Sequence, residues 1–131
     1  GLMKAVRDLI VRIQNEGGPA IDFQHFGDLS DLDHTLALNA YRMVQELLQN
    51  SLKHAQATEI LVQLTRTDYE LALLVEDNGI GYEPGVTPKG MGTDNVAQRV
   101  LFLKGDISIQ SAKGQGTSTM VTVPVTVQKS V

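Results

Sequence analysis

Asp77 closes an alternating run, Leu71, Leu73, Val75 and Asp77, in which every second side chain points to one side of a strand. Three of these residues are aliphatic and belong in a core, so the fourth is a carboxylate aimed inward. A buried carboxylate has to find donors or give up its charge. One use is local, because aspartate ahead of Asn-Gly caps the turn that follows. The other is recognition. Asp77-Asn78-Gly79-Ile80-Gly81 sets two glycines directly behind the carboxylate, and glycine lets a flat ligand approach the backbone. There the carboxylate can accept a hydrogen bond from an exocyclic amine such as that of adenine.

Glu46 and Asn50 are four apart and stack on one helical face, with Lys53 and His54 a turn further on. A carboxylate, an amide oxygen and a cation in this order suit a hydrated Mg²⁺ carrying phosphates, since magnesium takes few protein oxygens and keeps several waters. The same spacing also describes a solvated polar face. Gly90-Met91-Gly92 runs straight into a helix starting near Thr93, where free N–H groups and the positive end of the dipole form a seat for phosphate. A loop with an ordinary cap at Thr93 or Asp94 is the plainer reading. Gly114-Gln115-Gly116-Thr117 reads as a hairpin turn, but Thr117 shares a strand face with Thr119, Val121 and Val123, so its hydroxyl points toward the buried layer. Gly85 and Gly90 have P-loop spacing, yet Met91 follows where lysine is needed, and Asn95 stands where a dinucleotide fingerprint needs its last glycine.

These residues need elements to position them. Leu2 to Glu16 reads as a helix with Leu2, Val6, Leu9, Ile10 and Ile13 in one stripe, stopped by Gly17, Gly18 and Pro19. Ala20 to Phe26 is a short strand. Ser30, Asp31 and Asp33 are candidate caps for a long helix from His34 to Ala55, with Leu36, Ala40, Met43, Val44, Leu47 and Ser51 down one side. Arg42, Glu46, Gln49, Asn50 and Lys53 go down the other. Strands follow at Glu59 to Thr65 and Glu70 to Asp77, forming an antiparallel hairpin. A loop covers Asn78 to Gly92. A helix from Thr93 to Lys104 points Val96, Ala97, Val100 and Leu101 inward and stops at Gly105. Two more strands run from Asp106 to Ala112 and from Thr117 to Val127. Strands arriving in consecutive pairs predict an α+β two-layer sandwich with helices on one face, not a doubly wound parallel sheet.

The chain has 131 residues, which fits one compact domain over 1–131. With 11 Lys and Arg against 15 Asp and Glu the net charge is −4, which speaks against general nucleic-acid binding. Cysteine is absent, so a disulfide framework and thiolate chemistry are excluded. No apolar run approaches the roughly 20 residues of a membrane span, and no secretory signal is visible.

Taken in order, the four clusters resemble the Bergerat-type ATPases, the superfamily of gyrase, the heat-shock chaperone, sensor histidine kinases and mismatch-repair ATPases. Glu46-Leu47-Leu48-Gln49-Asn50-Ser51-Leu52-Lys53-His54-Ala55 looks like the N box. Asp77 to Gly81, Gly90 to Arg99 and Gly114 to Thr117 look like the glycine boxes and the closing G-x-G-T. Asn-Ser-Leu-Lys-His-Ala in the N box and the Asn95/Arg99 pair resemble, more narrowly, the sensor kinases of bacterial two-component systems. The short stretch between Gly81 and Gly90, without a phenylalanine-bearing box, suits the same subgroup. Thr93 departs from it, where leucine is more usual.

The resemblance implies a mostly antiparallel mixed sheet with helices on one face, and ATP and Mg²⁺ as cofactors. It implies that Asp77 accepts the adenine amino group, with a water shared with Thr117, and that Gly79 and Gly81 give the base room. Asn50 would ligate Mg²⁺, Lys53 and His54 would approach phosphate or ribose, and Gly90 and Gly92 would cover the triphosphate. Glu46 is the candidate catalytic residue, activating water in hydrolysing relatives and, in kinases, orienting a metal-bound water or tuning the N box. The implied partners are a helical dimerisation domain bearing the phosphoacceptor histidine and a response regulator, with no direct contact to nucleic acid or membrane. The kinase acceptor is followed by an acidic residue, whereas here His25 precedes Phe26, His34 precedes Thr35 and His54 precedes Ala55. The implied setting is a cytoplasmic domain of a larger kinase, itself soluble or membrane-anchored. An anti-sigma serine kinase of the same fold and a degenerate nucleotide-binding regulator stand as alternatives.

Overall fold

Hydrophobic periods of 3.6 and 2 alternate along this chain, and the elements follow them. A computed structural model describes residues 1–53, 56–83 and 93–125. The elements are α1 (Leu2–Asn15), β1 (Ala20–Phe26), α2 (His34–Lys53), β2 (Glu59–Arg66), β3 (Glu70–Asp77), α3 (Thr93–Phe102), β4 (Asp106–Ser111) and β5 (Thr117–Pro124). All eight lie within three residues of the expected bounds at each described end. The expected end of the long helix at Ala55 and that of the last strand at Val127 fall outside the described residues, as does most of the loop before α3.

The strands form one five-stranded sheet in the order β1-β2-β3-β5-β4. β1 and β2 are parallel, joined by α2 as a crossover, and the other pairs are antiparallel. The expected α+β two-layer architecture is the observed one. Leu71, Leu73 and Val75 of β3, Ile60, Val62 and Leu64 of β2, and Val121 and Val123 of β5 are all buried. Against them pack Leu36, Ala40, Met43, Val44, Leu47 and Leu48 of α2, with Val6, Leu9 and Ile10 of α1 alongside. Each Val, Leu, Ile or Met side chain among them contributes about 1.5–3 kcal/mol by leaving water. The alternate positions form the opposite face of the sheet, mostly half-buried and exposed at Asp22, Glu76 and Met120. No helix among the described residues is long and apolar enough to cross a membrane.

Helix ends carry specific hydrogen bonds. Among the three candidate caps it is Asp33 whose Oδ2 accepts the N–H groups of Thr35 and Leu36, at 3.1 and 3.4 Å. Ser30 is instead held by Asp28, and Asp31 pairs with Arg66. Gly17, at φ +82, ends α1 with the N–H of Gly18 on the Ile13 carbonyl, as its composition predicts.

Three expectations need correction. Val96 and Val100 face the core, but Ala97 and Leu101 do not, and Leu101 is 79% exposed. α3 meets the core by a narrow stripe continued by Leu103, and Ala97 and Leu101 lie a further 100° or so round the helix. The stop of α3 is not Gly105 but Lys104, which takes the left-handed conformation at φ +60. The Lys104 and Gly105 N–H groups then close on the carbonyls of Leu101 and Val100. Gly105 serves a different end, since a Cβ there would come within 2.3 Å of the Thr122 carbonyl oxygen. Finally, Asn50 is buried instead of lying on a solvated face. Replacing Lys104 by glycine removes a left-handed lysine and is expected to raise stability by about 0.5–1 kcal/mol net of the entropy glycine adds to the unfolded chain. Chemical denaturation measures this, and unchanged or lower stability would remove strain at Lys104 from the account.

Candidate functional site

Asp77 is 8% exposed at the end of β3. Its Oδ1 accepts the N–H of Gly79 at 2.9 Å and that of Thr117 at 3.3 Å, and its Oδ2 accepts the hydroxyl of Ser51 at 2.8 Å. The local use foreseen for this carboxylate holds, since it caps its own turn, and its expected inward direction holds too, since it meets the helical layer through Ser51. Among the described residues no cation pairs with it. A carboxylate has about four acceptor positions, and these donors occupy three, which leaves Oδ2 free to accept one more hydrogen bond. Ser51 was read from the sequence as part of the apolar side of α2. Its small size and polarity within that stripe were the only signal of its role.

The sheet order brings Thr117 here, because β5 lies beside β3 with Thr117 directly opposite Asp77. Close backbone approach depends on two glycines. A Cβ on Gly116 (φ +79) would lie 2.1 Å from the Asp77 carbonyl oxygen, and one on Gly81 (φ +62) would lie 2.2 Å from that of Ala112. Gly81 is thus required by the packing of the β4–β5 turn against the segment after β3. Gly79 is buried and gives its N–H to Asp77. Asn78 secures the neighbouring strand, its Oδ1 accepting the N–H groups of Thr58 and Glu59 at 2.9 and 3.0 Å.

Ser111, unnoticed in the sequence, ties the remaining pieces. Its hydroxyl donates to the Gly116 carbonyl at 3.0 Å and accepts the Tyr82 N–H at 3.0 Å, and it lies 2.9 Å from the Thr117 hydroxyl. With the Ser111 proton committed to Gly116, Thr117 supplies the proton of the last bond and retains its own lone pairs for another donor. Tyr82 is half-buried, and burial first, then the charge of Asp77, holds its phenol above the usual range.

On α2, Ser51 anchors the helix to Asp77, so Asn50 is its chain neighbour and Glu46 lies one turn back. Glu46 Oε1 is 3.6 Å from Arg99 Nε, and Glu46 Oε2 is buried without a hydrogen-bond partner among the described residues. Lys53 is exposed on the last turn of α2. His54, Gly90 and Gly92 lie outside the described residues. Among those described, no cluster of three His, Cys, Asp or Glu could hold a metal by itself. The buried amide of Asn50 carries a hard oxygen that fits a magnesium ion whose other ligands are water and phosphate, and the buried oxygen of Glu46 one turn back suits one of those waters.

A family model described as histidine kinase-, DNA gyrase B- and HSP90-like ATPase matches residues 35–127. The chain is 27% identical to the signal transduction histidine-protein kinase/phosphatase DegS of Brevibacillus brevis, over 98% of this chain and 34% of that protein. It is 32% identical to the sensor histidine kinase ComP of Bacillus subtilis, over 88% of this chain and 16% of ComP. It thus spans about a third or less of these relatives' length. Among solved structures, the blue-light activated histidine kinase of Erythrobacter litoralis EL346 superposes with a TM-score of 0.72 at 25% identity, over 96% of this chain and 42% of that one. The catalytic domain of histidine kinase ThkA shares the fold, at TM-score 0.67 and 18% identity, over 97% of this chain and 95% of that domain. With the family model covering most of its length, the chain belongs to the histidine kinase-, DNA gyrase B- and HSP90-like ATPases.

Proposed function

We propose that residues 1–131 form the ATP-binding catalytic domain of a sensor histidine kinase. The domain holds Mg²⁺-ATP so that the γ-phosphoryl group passes to a histidine on a separate helical dimerisation domain, and from there to an aspartate of a response regulator. The observation that carries this reading is Asp77, a buried carboxylate bonded to three neutral donors with one acceptor position left. That position suits the amino group of adenine. The carbonyl that guanine carries at the equivalent carbon would meet the carboxylate as a second acceptor and be repelled. Thr117, with lone pairs to spare, accepts from a water shared with Asp77.

Along α2, Asn50 is the protein ligand for Mg²⁺, and Glu46 orients a water of the metal's shell or receives a proton from the acceptor. When bound, the metal supplies charge neutralisation at the phosphates. Lys53 and His54 approach phosphate or ribose, and Gly90 and Gly92 cover the triphosphate. The chain's work is positioning and electrostatic, as phosphoryl transfer demands. The acceptor comes from elsewhere. His25 is exposed near the far end of β1, held to Arg7 at 3.2 Å, and His34 opens α2 at the end remote from Ser51. The reading sets the domain in the cytoplasm, where ATP is available.

Calorimetry should find ATP bound at least about tenfold tighter than GTP, and Asp77→Asn should lose about 1–3 kcal/mol of ATP affinity, because the amide turns a donor toward the adenine amine. Equal affinity for the two nucleotides, or an unaffected variant, would remove the adenine assignment. Asn50→Ala should weaken magnesium-dependent ATP binding far more than binding of metal-free adenosine, and equal weakening of both would make Asn50 structural. With γ-labelled ATP the chain should bind nucleotide without labelling itself, and a helical hairpin carrying the acceptor histidine should restore transfer by bringing the reactants into one site. Strong labelling of one of its own histidines would contradict the division of labour. No transfer with the hairpin present would favour a regulatory or serine-kinase role.

A further inference from the structure

Arg99 joins α3 to the polar flank of α2 at two points seven residues apart. Its Nη1 donates to Asn39 Oδ1 at 3.1 Å, and its Nε lies 3.6 Å from Glu46 Oε1. Asn39 is itself held, since its Nδ2 donates to the Thr35 carbonyl at 2.8 Å. That bond fixes which end of the amide faces Arg99. With its nitrogen committed to a carbonyl, Asn39 can offer only its oxygen to the guanidinium. The result is a chain of contacts from the α2 backbone through Asn39 and Arg99 to the carboxylate of Glu46.

Two features of this chain are unlike a surface ion pair. Arg99 and Glu46 side chains are only 33% and 18% exposed, so solvent screens them little. Their separation exceeds hydrogen-bonding distance, and both Arg99 Nε and Glu46 Oε2 are buried without a partner among the described residues. A pair that served only to fasten α3 would be expected to close on both oxygens, as arginine does readily with a carboxylate. Here the positive charge stands beside one oxygen and leaves the other unengaged.

We propose that Arg99 is a positioning residue for phosphoryl transfer: braced by Asn39, it sets the orientation of the Glu46 carboxylate and keeps Oε2 available to the reacting groups. This rests on the reading of the chain as a histidine kinase catalytic domain and assigns a role to a residue that this reading leaves without one. In this role Arg99 meets neither nucleotide nor acceptor. Its effect passes through Glu46 alone, which makes the two residues non-additive.

The test is a double-mutant cycle of Arg99→Gln and Glu46→Gln, with transfer from ATP to the acceptor-bearing helical domain as the activity. ATP affinity and melting temperature are measured on the same proteins. Arg99→Gln should lower kcat roughly 10- to 100-fold, as displaced catalytic groups do, with KM for ATP and ATP affinity within about twofold of the parent. In the Glu46→Gln background the same change should lower kcat no further. Arg99→Lys should recover part of kcat, because it restores the charge without the fork that reaches Asn39. Asn39→Ala, which leaves both charged groups in place, should give a smaller loss in kcat at unchanged affinity and covers the case in which Arg99→Gln does not fold. Losses that multiply in the double variant would overturn the inference, as would an Asn39→Ala or Arg99→Lys protein that loses melting temperature and ATP affinity but not kcat. A parent protein that binds no ATP overturns the underlying reading, and the inference with it. One that binds and transfers while the cycle is additive overturns the inference alone.

Discussion

A carboxylate taken out of water has to be compensated, and how Asp77 is compensated shapes everything around it. Its donors come from three places: the helical layer through Ser51, the adjacent strand through Thr117, and its own turn through Gly79. A buried salt bridge would have cancelled the charge and used up the carboxylate's capacity. Neutral donors spread over the two oxygens stabilise the charge without cancelling it, so it remains legible to a ligand that brings a hydrogen of its own. The same bonds fasten α2 to the sheet at Ser51, with Asn50 its chain neighbour and Glu46 about one turn back along the helix.

The rigidity of that point has a backbone origin. Gly116 and Gly81 let chain segments pass closer than any side chain would allow, and Ser111 satisfies the polar groups brought together there. Asn78 does the same on the other flank, holding the start of β2. Glycine at positions 81 and 116 is thus a condition for these segments to pack against one another. Precision at a binding site of this kind comes from such supporting contacts as much as from the residue that meets the ligand.

The polar flank of α2 answers to two neighbours. Its outer part meets solvent, as Arg42, Gln49 and Lys53 do. Its inner part is covered, so that Asn50 is buried and Glu46 shares a partly desolvated contact with Arg99. Polar groups placed under a helix in this way are costly unless each is compensated. The apolar stripe of α3 is correspondingly narrow, leaving Leu101 and Phe102 outside it.

Local order was legible along the chain because it rests on short-range periodicity. Leu71, Leu73, Val75 and Asp77 declare a strand with one buried face, the glycine pair at 17 and 18 declares a helix end, and the four motif clusters carry the family resemblance in their order and spacing. The inward carboxylate of Asp77 followed from the same alternation. Contacts between residues far apart in sequence were not legible, because no local pattern encodes them. That β5 inserts between β3 and β4, and so sets Thr117 against Asp77 across 40 residues, is a property of the assembled sheet. Ser51 looked like a small residue in an apolar stripe, Ser111 like any strand serine, and Arg99 like a mark of the subgroup with no partner assigned. Each acquired its role only when a second element packed against it. Periodicity reports which side of an element faces inward, whereas the partner met there depends on how all the elements bury their faces together.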